Sequence, residues 1–110
     1  MATLSVQSIS AAGLDPTYAS AAAGGDKVKP GRTTFLHVIN GGGSSITVTL
    51  VAPGNYYGSV ANPDPTYTVG ASGEMLIPVP PTPFANSADS GLASITYSGV
   101  TTVTVAALRI

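Results

Sequence analysis

Apolar residues recur at every second position in a series of short runs, and this spacing decides what the chain can become. Successive side chains of a strand point to opposite faces, so a period of two marks a half-buried strand, whereas a helix repeats its apolar positions every three to four residues. Between Ser45 and Val51, Ile46, Val48 and Leu50 share one face and Thr47 and Thr49 the other, as a sandwich strand with one wet side requires. Between Thr33 and Asn40, Phe35, His37 and Ile39 lie on one face and Thr34, Leu36 and Val38 on the other, so both faces are candidates for cover. Gly41-Gly42-Gly43-Ser44 joins these runs with positive φ available, which predicts a hairpin.

Further runs follow the same rule. Glu74 to Val79 places Met75, Ile77 and Val79 together, while Pro78, lacking an amide donor, predicts a sheet edge or a strand end. Gly91 to Tyr97 and Thr102 to Ile110 flank Ser98-Gly99 and predict a second hairpin. Strands are also expected at Leu4 to Ile9, Tyr67 to Val69 and Tyr18 to Ala23, although the alanines of the last run also suit a helical turn. Together they predict an all-β fold, a single antiparallel β-sandwich or jelly-roll-like domain over residues 1–110 with about seven or eight strands. Pro53 to Thr66 and Pro80 to Ser90 are long for loops, and contacts to a partner are expected there.

Composition narrows the function. Of 110 residues only four are Lys or Arg and five Asp or Glu, against roughly a quarter charged in an ordinary soluble domain. Four scattered basic residues make no stripe for phosphates, so nucleic acid is not an expected partner. Neither is a membrane: no apolar run reaches the ~18 residues of a spanning helix, and MATLSVQSIS lacks the basic start and apolar block of a signal peptide. The chain has no cysteine, which excludes disulfides and thiolate zinc sites.

Catalytic chemistry finds little to use. The single histidine, His37, lies between Leu36 and Val38 with no acid in the adjacent positions, and reads as a structural histidine instead of a general base. No Gly-x-Ser-x-Gly elbow occurs, so an enzyme is not expected. Asp15, Asp26, Asp64, Asp89 and Glu74 lack metal-ligand spacing; Asp15-Pro16, Asp64-Pro65 and Gly24-Gly25-Asp26 read as turns, and no metal or cofactor is expected. Tyr56, Tyr57 and Tyr67 with Asn55 and Asp64 form one constellation suited to a protein partner or a sugar ring, or to covering an open end of the sandwich.

The order of segments resembles a family of small virion proteins of tailed double-stranded DNA phages of actinobacteria. The likeness runs from about Ala21 onward. It is carried by Gly24-Gly25-Asp26, the strand phrase Gly31-Arg32-Thr33-Thr34-Phe35-Leu36-His37-Val38-Ile39-Asn40-Gly41-Gly42, the Thr/Val run Ile46 to Leu50, Pro80-Pro81-Thr82-Pro83-Phe84-Ala85-Asn86 and the closing stretch from Ile95 to Ala107. The resemblance implies a capsid decoration, or cement, protein on the outer capsid surface of the virion, with the major capsid protein and neighbouring copies as partners and a homotrimer as one arrangement. Expected partner contacts are Tyr56, Tyr57, Pro63, Asp64, Tyr67, Pro81, Phe84 and the apolar Ile110. Two alternatives stand beside it: a host-glycan module using the tyrosines, and a tail or head-tail junction protein.

Overall fold

In a computed structural model the described residues are 2–53, 55–57, 60–61, 63–85 and 91–110, with backbone only at 2, 55–57, 60–61 and 82–83. The chain is all-β, as the alternation predicts. One sheet contains, in spatial order, β1 (Ala2–Leu4), β4 (Asp26–Val28), β11 (Ala93–Tyr97), β6 (Ile46–Val51) and β9 (Thr66–Val69). The other contains β10 (Glu74–Pro78), β5 (Thr34–Asn40), β12 (Val103–Arg109) and β2 (Val6–Ser8), with β3 (Ala19–Ser20) beside β12 ahead of β2. A two-stranded ribbon, β7 (Asn55–Tyr57) with β8 (Val60–Ala61), lies between β6 and β9 in sequence, inside what the sequence predicts as a loop.

Three expectations need correction. Ten strands build the two sheets, more than seven or eight, because residues 2–8 form two strands instead of one and β4 begins at Asp26, where the sequence predicts a turn. The sheets are mixed: β1 runs parallel to β4 and β2 parallel to β12. Neither predicted hairpin forms. β5 pairs with β10 and β12, while β6 pairs with β11 and β9, so Gly41 to Ser44 carries the chain from one sheet to the other. The link from β11 to β12 crosses in the same way. Alternation fixes which face of a strand is buried, and a strand satisfies it equally well against a neighbour in its own sheet or across the core.

The inner faces meet through Val28, Leu36, Val38, Val48, Leu50, Val69, Ile77, Ile95, Val103 and Val105, all at most 1% exposed. Burying each such side chain contributes about 1.5–3 kcal/mol. Phe84 joins this core from a single helical turn, α1 (Pro81–Phe84), whose Pro81 occupies a first-turn position where no amide is missed. Pro81 itself is exposed, whereas buried Phe84 supplies packing and offers a partner no open ring.

Two buried polar side chains organise the ends of the sandwich. Asn40, 1% exposed, donates from Nδ2 to the carbonyls of Ser44 (2.8 Å), Gly70 (3.2 Å) and Val69 (3.3 Å) and accepts at Oδ1 from the Gly42 amide (3.0 Å). It thereby ties two sheet-crossing links, Gly41 to Ser44 and the turn from β9 to β10, to one amide group. Asp26, which the sequence places in a turn, is instead fully buried at the start of β4; its Oδ2 accepts from the Tyr97 hydroxyl (2.8 Å) and the Ala22 amide (3.3 Å). Its Oδ1 has no hydrogen-bond partner among the described residues.

Burial, the hydrogen bond to Asp26 and the nearby carboxyl charge all raise the Tyr97 phenol far above the ordinary tyrosine range. The folded state holds this proton after the unfolded state has released it near pH 10, so stability present below that pH falls as pH rises further. Wild type should lose up to about 1.4 kcal/mol per pH unit more than Tyr97→Phe above pH 10, read from urea midpoints at successive alkaline pH values.

Candidate functional site

The two outer faces of the sandwich differ in chemistry, and the difference follows from the alternation of each strand. In the first sheet, Val48, Leu50, Val69 and Ile95 point inward, so Thr47, Thr49, Thr66, Thr68, Ser94 and Thr96 point outward. Register sets them side by side, with Thr96 beside Thr49 beside Thr66, and Thr47 beside Thr68. This is a hydroxyl face.

In the second sheet the outward set is largely apolar. Pro78, Phe35 and Leu108 form one cross-strand row, Leu76, His37 and Ala106 the next, and Glu74, Ile39 and Thr104 a third. Among the described residues the two largely exposed large apolar side chains are Leu76, 62% exposed, and Ile110, 79% exposed. Ile110 follows Leu108 by two positions and its amide donates to the Thr33 carbonyl (3.3 Å), which keeps it in strand alternation on this same face. Both exposed apolar side chains therefore belong to one surface.

The polar groups within that surface pair with one another. The Tyr18 hydroxyl lies 2.6 Å from His37 Nδ1, and Glu74 Oε1 lies 2.9 Å from His37 Nε2. Tyr18 stands edge-on to the imidazole, ring centroids 5.5 Å apart. A phenol that donates to Nδ1 and an Nε2–H that donates to the carboxylate satisfy every partner with a neutral ring, a tautomer assigned from the network. No ring lone pair is left free, so the arrangement pins Tyr18 and Glu74 across the sheet. Adjacency in sequence hides this trio: Glu74 comes from the neighbouring strand and Tyr18 from beyond the opposite edge. Pairing the Glu74 run with the Thr33 run is the step that reveals it.

Beside Tyr18 a groove of about 430 Å³ opens between β2 and β3, with Gln7, Thr17, Ala19 and Ala106 among its walls. Gln7 closes the gap as a two-pronged tie, donating to the Thr17 carbonyl (2.8 Å) and accepting from the Thr17 amide (2.9 Å). No group of three His, Asp or Glu side chains able to hold a metal gathers among the described residues.

The residues predicted as contacts are dispersed. Pro63 and Asp64 are exposed, and Asp64 Oδ1 accepts from the Ala52 amide (2.8 Å), so its carboxylate braces the base of the ribbon instead of capping its own turn. Tyr67 packs half-buried against the core opposite Val48, which makes it a cover of the sandwich. The side chains of Tyr56 and Tyr57 lie outside the described residues, as do Asn86 and Asp89. Of the predicted contacts whose side chains are among the described residues, Ile110 is the one on the apolar face. We find no match to this chain among protein-family models, curated proteins or solved structures.

Proposed function

We propose that the protein is a structural module of a tailed-phage virion, decorating and stabilising the capsid from outside by docking its apolar sheet face on the lattice of the major capsid protein. The observation that carries this reading is the two-faced sandwich: the exposed apolar side chains, Leu76 and Ile110, fall on one sheet and the hydroxyl rows on the other. A module bound to a shell needs one face that tolerates burial and one that tolerates water. The Tyr18–His37–Glu74 line supports the same use, because His37 and Tyr18 already satisfy each other and can be covered without losing a partner. The resemblance in segment order supplies the capsid, and the scarcity of charge lets copies crowd on it without mutual repulsion.

The glycan reading draws on the tyrosine constellation, of which Tyr67 and Asp64 are engaged in packing and bracing. A tail or junction location differs in copy number, since a ring holds about a dozen subunits and a shell hundreds. Particles assembled without this protein should lose heat and osmotic resistance and regain it when purified protein is added back. Unchanged resistance, with no density for the protein on the shell, would remove the proposal.

A further inference from the structure

We infer that β10 is a self-association edge, and that two copies of this chain join antiparallel through it about a twofold axis at Leu76. β10 pairs with β5 alone among the described residues. The Val79 amide donates to Thr34 and the Gly73 carbonyl accepts from Asn40, so residues 73, 75, 77 and 79 turn their main-chain groups toward β5. Strand alternation then points the groups of Glu74, Leu76 and Pro78 outward. An exposed row of amides and carbonyls in strand geometry is completed by another strand.

The residues on that edge select both the partner and the register. With Leu76 opposite Leu76 of the second copy, each Glu74 lies opposite a Pro78. The Glu74 amide donates to the Pro78 carbonyl, and the donor that Pro78 lacks forgoes one bond in each of the two Glu74–Pro78 pairs, leaving the central Leu76 pair with both of its bonds. The two Glu74 side chains then stand about 14 Å apart, four strand residues, which avoids like-charge contact. A register centred on Glu74 would set the two carboxylates face to face, and one centred on Pro78 would forfeit both central donors. Leu76, 62% exposed at the centre, gains cover from its own copy.

Area argues for the same occupant. The four strands, five, seven, seven and three residues long and spaced by about 4.8 Å, give the apolar face roughly 350 Å² of projected sheet, under half of the ~800 Å² per partner of a standard interface. Edge pairing continues the sheet from one copy into the next and sets two such faces side by side. This inference does not depend on the virion reading.

The native chain has no cysteine, so engineered thiols report geometry cleanly. Hydrogen-bonded strand partners hold Cα atoms about 5.5 Å apart, within disulfide reach. Under mild oxidation, purified Leu76→Cys should form a covalent dimer. Glu74→Cys should not link to itself but should link to Pro78→Cys when the two are mixed. Light scattering on the unmodified chain should give twice the mass of one chain, and Leu76→Lys should weaken the dimer about tenfold or more, with an unchanged unfolding midpoint at protein concentrations low enough that both chains are monomeric. A monomer at ~100 µM, Leu76→Cys linking no faster than Thr96→Cys on the hydroxyl face, or linking through Ile110→Cys instead would each overturn the inference.

Discussion

Asn40→Asp should destabilise the domain by about 4 kcal/mol or more, the larger of the two strongest effects expected of single substitutions. The change keeps the shape and exchanges one donor for an acceptor. Asn40 Nδ2 faces the carbonyl oxygens of Ser44, Val69 and Gly70 at 2.8 to 3.3 Å, in a site that is 1% exposed. A carboxylate oxygen there meets three acceptors with no compensating donor. Asn40→Ala removes the donor without adding charge and should cost about 2–3 kcal/mol, so the difference between the two isolates the electrostatic part. Urea midpoints measure both. A loss below about 1 kcal/mol for the aspartate variant would mean that the two links near Asn40 hold themselves.

Gly25→Ala is expected to cost about 3 kcal/mol or more, through backbone geometry. Gly25 sits at φ +94°, where side-chain-bearing residues are strained, and a Cβ there would collide with the Ile95 carbonyl oxygen of β11. β4 would have to move away from β11, disturbing the pairing of Asp26 with Ile95 and the bond from Tyr97 to Asp26. Gly24→Ala one residue earlier meets no atom within 4 Å and is the matched control. Equal midpoints for the two variants would contradict this account.

Both positions show where reading the sequence succeeds and where it stops. Alternation in Ile46–Val51 and Thr34–Asn40 identifies inward and outward residues because that pattern is a local property of each strand. Pro78 marks an edge because a missing amide has a local cost, and β10 does lie at an edge. Pairing is another matter. Nothing in Gly41 to Ser44 tells a tight turn from a crossing between sheets, since glycine permits both, and the buried Asn40 that decides it finds acceptors up to thirty residues away. Asp26 looks like a turn residue for the same reason: its partner Tyr97 lies seventy-one positions on. The candidate site was half legible, with Phe35, His37 and Ile39 recognisable as one face, but Tyr18 and Glu74 join His37 only after β10, β5, β12 and β3 are assembled.

Residues 2–8 serve one sheet up to Leu4 and the other from Val6, and their partners sit at Asp26–Val28 and Ala107–Arg109. The second of these pairings spans about a hundred residues, and Arg109 Nε secures it by donating to Ser8 Oγ (2.8 Å). A contact so remote in the chain closes a long loop, as does the pairing of β12 with β5. The domain should accordingly fold slowly, on the millisecond-to-second scale of all-β sandwiches. Once paired, residues 2–8 couple the two sheets, so neither can open far without releasing the other.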